Sequence, residues 1–415
     1  MAKRIGILGA GTAGLHLGLL LRQQGVDATI FTDRKGEEYR ASRLQNTVAH
    51  HSITVAREEK LGVNHWPVNE YGYFCHYHNF GGEHPLYFRG DFASPSRAVD
   101  YRVYLPALMS DFEQRGGRIE YRRIIEEEIP RLCMQFDLLV VCTGKTALGR
   151  LFEQDADFPA LDRPFRYLCA GLYTGISTTA PRAVTFSVSP GHGEMIEIPT
   201  LSFGGMVTAL LFENIMGGDL EELAHLPYAA NPRAFRQTVL DKLRLHHTAT
   251  YERVNHREFD LCGPNDLLQG AIIPTVRRGW CELTGGKFAI ALGDFHVTVD
   301  PVIGQGANLA SHAAWVLGEA IVREERFDLA FCERLDQARR ERILGAFRWT
   351  NFMLQPPSPE FLRLVLAMSQ NRALCDEFTD NFNYPERQWR RLESPASIRA
   401  WIEERGSNTG TAAGR

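Results

Sequence analysis

Residues 4–33 read RIGILGAGTAGLHLGLLLRQQGVDATIFTD. A short apolar run meets glycines at 9, 11 and 14, a helical stretch with Leu15, Leu19 and Leu20 on one face follows, and a second β-rich run closes the segment. That order predicts a βαβ unit with the GxGxxG turn between its first strand and its helix. Each glycine answers a separate demand: Gly9 permits the tight turn, Gly11 lets a pyrophosphate approach the backbone, and Gly14 lets helix and strand pack closely. Thr12 and Ala13 stand at the helix start, where free N–H groups meet an anion. The acidic residue expected at the end of the second strand is displaced. Thr32 holds that position with Asp33 and Arg34 next, so Thr32 or Asp33 is the candidate for the adenosine ribose, against a plain solvated strand end.

Further along, YRVYLPALMSDFEQRGG with FDLLVVCTG, and FAIALGD with the helix after it, give two more helix and strand units. Between them, residues 181–215 alternate β-rich runs with Gly/Pro turns, as an antiparallel meander would. The reading is an α/β chain. Its dinucleotide-binding domain uses 1–70, 97–165 and 270–328, and a β-rich substrate domain uses 71–96 and 166–269. A helical region at 329–405 packs outside, and a small polar tail at 406–415 is expected to be disordered.

The segment LGDFHVTVDPVIGQGANLASHAAW ends an apolar run on Gly293-Asp294 and opens a helix in nearly bare backbone. In the Rossmann architecture of FAD-dependent aromatic hydroxylases, which this pattern resembles, such a strand end meets the ribityl chain. The following helix there points its N-terminus at the flavin. Asp294 fits the first role; Pro301, Gly304, Gln305, Gly306, Ala307 and Asn308 fit the second, because bare backbone approaches a planar ring and its N–H groups stabilise negative charge on it. The bland alternative is an N-capped surface helix. Arg43 and Arg97 sit where such proteins bring polar side chains to FAD, and guanidinium matches phosphate geometry.

Several absences narrow the function. Single-component hydroxylases of that kind carry an Asp-Gly pair after a late strand; here Thr143-Gly144 stands instead, and no second nicotinamide fingerprint appears. The net charge of −4 among 415 residues gives no basic field for nucleic acid or anionic membrane. No uncharged apolar run reaches the roughly 18 residues a bilayer span needs. Eight scattered cysteines without a CxxC pair suit a reducing cytoplasm and no zinc site. His50 with His51, or His76 with His78, would be the only metal candidates, and no carboxylate or cysteine spacing supports them.

RIGILGAGTAGLHLGLLLRQ, LQNTVAHH, ASPSRAVDYR, LLVVCTGK, SPGHGEMIEIPTLSF, VDPVIGQGAN and DEFTDNFNYPERQW together resemble the styrene/indole monooxygenases, almost end to end. The resemblance implies the oxygenase component of a two-component system. A transient NADH:flavin oxidoreductase supplies FADH2, exchangeably bound, and O2 then gives a C4a-hydroperoxyflavin that epoxidises a vinyl group, typically to (S)-styrene oxide. A homodimer is a candidate assembly. Such chemistry needs a dry, apolar cavity and a held alkene more than an acid or base. The resemblance assigns substrate positioning to Asn46, Val48, His50, Tyr73, His76 and Ser96, the styrene-type set, with indole oxidation as the alternative. Outside the family stand a self-sufficient NAD(P)H hydroxylase, a flavin halogenase (no WxWxIP-like motif occurs), and a non-enzymatic binding protein.

Overall fold

In the computed structural model, which describes residues 3–46, 48–143, 147–158 and 161–410, β1 (Arg4–Leu8), α1 (Thr12–Gln23) and β2 (Asp27–Thr32) form the opening βαβ unit. β1 lies between β2 and Leu138–Val141, parallel to both, and Arg118–Tyr121 and Lys287–Ala291 extend the sheet on its two sides. Trp280–Leu283 adds an antiparallel edge. Parallel strands are covered on both faces, which is why these runs are continuously apolar; Ile5, Ile7, Val140 and Ile290 are wholly buried.

The turn after β1 depends on two missing side chains. Gly9 has φ +122°, a conformation that L side chains rarely adopt. A Cβ on Gly14 would stand 2.0 Å from the Gly9 carbonyl oxygen. α1 can therefore begin directly against the end of β1, and its first N–H groups stay at the sheet edge.

The second sheet starts with β3 (Ala49–His50), which leads into α2 (Ser52–Leu61). β3 pairs with the end of β5 (Leu86–Val99), and β4 (Gly72–Phe80) joins β5 to Ala183–Ser189. Gly193–Ser202, Gly205–Asn214 and Tyr167–Thr174 continue it as the expected meander. β5 then runs straight into α3 (Tyr101–Gln114). At the junction the Asp100 N–H donates to the Leu201 carbonyl (2.8 Å), and its carboxylate accepts the Arg102 N–H (2.9 Å) to cap the helix. The second sheet thus takes in residues 49–50 and 97–99, which the sequence reading gives to the first domain.

α4 (Gln305–Arg323) lies beside α1, and the C-terminal helices follow it. They are more than an outer layer. Trp349, Phe361, Leu364, Phe378, Phe382 and Trp401 share one buried core with Tyr73, Ile196 and Ile198 of the second sheet. Arg339, fully buried, donates to the carbonyls of Ala291 (3.1 Å) and Gly279 (3.4 Å), tying Leu329–Met353 to the first sheet. The last helix runs from Pro395 to Gly410, across part of the stretch expected to be disordered; residues 411–415 lie outside the described residues.

Gly14→Val should cost about 1–3 kcal/mol or more, since backbone rather than a flexible side chain must yield. Urea unfolding of the variant beside wild type measures that loss.

Candidate active site

Where the two sheets meet, a cleft, a backbone bridge and a cavity follow one another. The cleft, about 220 Å³, is bordered by residues 8–11, by Phe31, Thr32 and Asp33 at the end of β2, and by Tyr39, residues 122–124 and residues 142–143. Thr32 is buried and its hydroxyl accepts the Arg34 N–H at 3.4 Å, whereas Asp33 is exposed. Both border the cleft. Arg34 does not; its guanidinium lies 5.7 Å from the Tyr39 ring centre. Gly144, the partner of Thr143 in the sequence argument, lies outside the described residues. Arg122 and Arg123 were not legible as cleft residues, because only the docking of Arg118–Tyr121 against β2 brings them there; Tyr39 comes from the short helix Gly36–Ala41 that follows β2.

Glycines mark the bridge. A Cβ on Gly293 would lie 3.3 Å from the Ala13 Cβ, placing the turn after Lys287–Ala291 against the start of α1. A Cβ on Gly306 would lie 3.9 Å from Asp294 Oδ1, so the exposed carboxylate faces the first turn of α4. Gly304 (φ +62°) stands at the head of α4, and its added Cβ would lie 3.9 Å from Ala49 Cβ and from His51 Cε1 and Nε2. The bridge therefore runs from the glycine turn past Asp294 to Gly304. Bare backbone along this path fits a dinucleotide extended from the cleft, with the N-terminal end of the 19-residue α4 facing its far end.

Two of the α4 candidates turn inward. The Gln305 amide donates to the Phe382 carbonyl at 2.9 Å. Asn308 donates to the Ala49 carbonyl (2.9 Å) and accepts from the His51 N–H (2.9 Å) and the Thr54 hydroxyl (2.7 Å). Both side chains brace the bridge from behind, leaving Gly304, Gly306 and Ala307 to offer backbone. Pro301 opens the turn before α4, whose first N–H groups are capped by Asp300 (Val302 N–H, 3.1 Å).

Beneath α1 lies a buried polar network that the sequence did not foreshadow. The Glu58 carboxylate of α2 receives the Tyr104 hydroxyl (2.7 Å), His50 Nδ1 (2.6 Å) and the Arg97 guanidinium. His50 Nε2 lies 3.3 Å from the Tyr101 hydroxyl, which lies 2.5 Å from Thr12 Oγ1 at the head of α1. On the other branch, Tyr104 meets His16 Nε2 (2.7 Å), and His16 Nδ1 meets Ser311 of α4 (3.1 Å). Although burial alone pushes the Glu58 carboxyl up, His50 and Arg97 hold it down at about 2. Arg97 is wholly buried and also donates to the Trp66 carbonyl at 2.6 Å. It is thus a structural partner of Glu58 rather than a phosphate ligand. Arg43 keeps an exposed position.

The cavity, about 20 Å³, is enclosed by Ala49, His51, Tyr73, His76, Val184, Phe186, Ile196, Ile198, residues 301–304 and Phe382. That volume holds about one water. Of the six expected positioning residues, Tyr73 and His76 border it. Ser96 lies opposite Tyr73 in the β4–β5 register, its side chain on the same face. His50 belongs to the Glu58 network, Val48 packs on the core beneath the first sheet, and Asn46 is half-buried with an unpartnered Oδ1. The correction follows from strand alternation, which turns Ala49 and His51 to the cavity and residue 50 away from it. Burial lowers His51 to about 3 and His76 well below its ordinary value, keeping both imidazoles neutral. Among the described residues no group of three His, Cys, Asp or Glu side chains is placed to hold a metal ion.

Residues 144–253 match the family model described as "Styrene monooxygenase A putative substrate binding domain". Two relatives named styrene monooxygenase StyA, from Pseudomonas fluorescens and Pseudomonas sp, are each 55% identical over 408 residues, covering 97% of this chain and 98% of theirs. Among solved structures, the flavin-dependent brominase Bmp2 superposes with a TM-score of 0.65 at 14% identity, covering 97% of this chain and 99% of its own. The tetrameric form of 2-methyl-3-hydroxypyridine-5-carboxylic acid oxygenase does so at 0.57 and 15%, covering 93% and 96%. At such identity these two share the fold.

Glu58→Gln should destabilise the protein by about 3–5 kcal/mol, because it leaves Arg97 buried without its counter-charge. With the folded-state value near 2 against an ordinary 4.5, the carboxylate's contribution is complete above pH 4.5 and fades as pH falls toward 2. Urea unfolding at several pH values should therefore show the gap between wild type and variant narrowing in acid.

Proposed function

The chain belongs to the styrene monooxygenase family, and we propose that it is the oxygenase component that uses reduced FAD and O2 to epoxidise the vinyl group of styrene-like substrates. The observation that carries this reading is the succession of a cleft at Gly9–Gly11, a glycine-marked bridge past Asp294, and a neutral and largely apolar cavity at Gly304. A cofactor lying along that path would meet substrate at its far end and nowhere else.

FAD, when bound in its reduced form, supplies the two electrons and the activation of O2. The chain's own residues do the rest. Gly9, Gly11, Thr12, Ala13 and Gly14 present N–H groups to the pyrophosphate, with Thr32 or Asp33 at the ribose and Arg43 within the same frame. Asp294 accepts hydrogen bonds from ribityl hydroxyls, and the first turn of α4 favours an anionic ring edge. Tyr73 and His76 hold the substrate ring, while the aliphatic wall excludes water. An aromatic ring exceeds the one-water cavity, so its entry requires the wall to yield. Phe382 is a wall residue tied through its carbonyl to Gln305, at the start of α4.

The displaced acidic residue after β2 fits a cofactor that is exchanged rather than held, and therefore a separate NADH:flavin reductase as transient partner. Eight free cysteines fit a reducing cytoplasm. No helix among the described residues is long and apolar enough to cross a membrane.

Supplied with chemically reduced FAD, O2 and styrene, the purified chain should release styrene oxide, and it should consume no NADH by itself. Product analysis with styrene and indole side by side tests both points; an absent epoxide, or faster turnover of indole, refutes the substrate reading. Asp294→Ala should weaken binding of reduced FAD by about 1.5–3 kcal/mol while leaving unfolding unchanged. Anaerobic titration with unaltered affinity would remove Asp294 from the cofactor site.

A further inference from the structure

His51 is a buried polar side chain whose two ring nitrogens both lack a partner, where the neighbouring Tyr73 and His76 each leave one atom unpaired. Its side chain is 3% exposed, and neither ring nitrogen has a hydrogen-bond partner. Leaving a buried imidazole unpaired is costly, so a site that retains one has a partner in some state of its working cycle. The surroundings narrow what that partner is. The ring borders the cavity, its Nε2–Cε1 edge faces Gly304, and its plane meets Phe382 edge to face at 5.7 Å. Its backbone is held by Asn308 of α4. It therefore stands at the boundary between the cavity and the backbone where the cofactor path ends. His76, the other cavity imidazole, packs among Phe92, Phe186 and Phe382.

Burial keeps the His51 ring neutral, with one N–H to give. The Ile303 carbonyl is near enough to favour a proton on the ring, though not in hydrogen-bond geometry. The alkene brings no polar atom into the cavity. The epoxide that leaves it does, and its oxygen accepts hydrogen bonds. We propose that His51 is the residue that hydrogen-bonds the transferred oxygen in the product, and so fixes the reacting end of the substrate at the Gly304 side. This rests on the epoxidation reading above and assigns a residue within that site. The contact is a hydrogen bond only, with no proton transferred.

The test uses the full chain with and without cofactor. In cofactor-free protein with 15N-labelled histidine, styrene oxide should shift the His51 ring resonances, assigned through His51→Phe, whereas ethylbenzene should leave them in place. His51→Phe should bind styrene oxide about five- to tenfold more weakly, the worth of one such hydrogen bond, with ethylbenzene affinity unchanged. With reduced FAD, O2 and styrene, that variant should release more hydrogen peroxide per epoxide and a less one-sided enantiomer ratio. His51→Gln, which keeps an N–H, should recover part of both. Unaltered oxide affinity in a folded His51→Phe, or ring resonances indifferent to styrene oxide in wild type if that variant does not fold, overturns the assignment. A wild-type chain that forms no epoxide overturns the function instead, so the two failures are told apart.

Discussion

The carboxylate of Glu58 is the interaction on which the two sheets depend. A wholly buried carboxylate is costly unless several donors surround it. Here the donors come from β3, β5 and α3, and through Tyr101, Tyr104 and His16 the network reaches α1 and α4. His50 and Arg97 are register partners in the β3–β5 pair, so the ladder that aligns those strands also aims both side chains at one acceptor. The glycine turn at the head of α1 and the first strand of the second sheet are thereby held in one frame. A shift of either would strand a charge.

That frame explains how a site assembled from distant segments can be close-fitting. Gly293 lies against Ala13, Gly306 near Asp294, and Gly304 near Ala49 and His51, with Gly293 and Gly304 both at positive φ. Asn308 binds the chain on both sides of His50 from within α4. The N-terminal end of α4 is therefore fixed to the strand that opens the cavity wall.

The cavity itself shows why few charged groups serve there. Desolvation disfavours the charged form of every imidazole that borders it, so the walls stay neutral at ordinary pH. Neutral polar groups then act by position. Tyr73 and His76 stand among aromatic rings contributed by β5, the meander and the C-terminal region. The C-terminal segment around Phe382 is thus part of the cavity wall, not an appendage.

The amino-acid sequence by itself determined the βαβ opening, the glycine turn, the strand end at Gly293-Asp294, the meander and the family. These are signalled by local spacing, and their physics acts within a few residues: φ at Gly9, the packing of Gly14, the period of apolar positions. Tertiary structure alone decided which neighbour in His50-His51 meets the cavity, because one residue's difference in strand register reverses the face. It also decided that Arg97 serves Glu58, that Gln305 and Asn308 turn inward, and that Arg122 and Arg123 border the cleft. A charged or amide side chain reads the same in sequence whether it meets solvent, a ligand or a buried partner. Its fate is set by which distant segment folds against it.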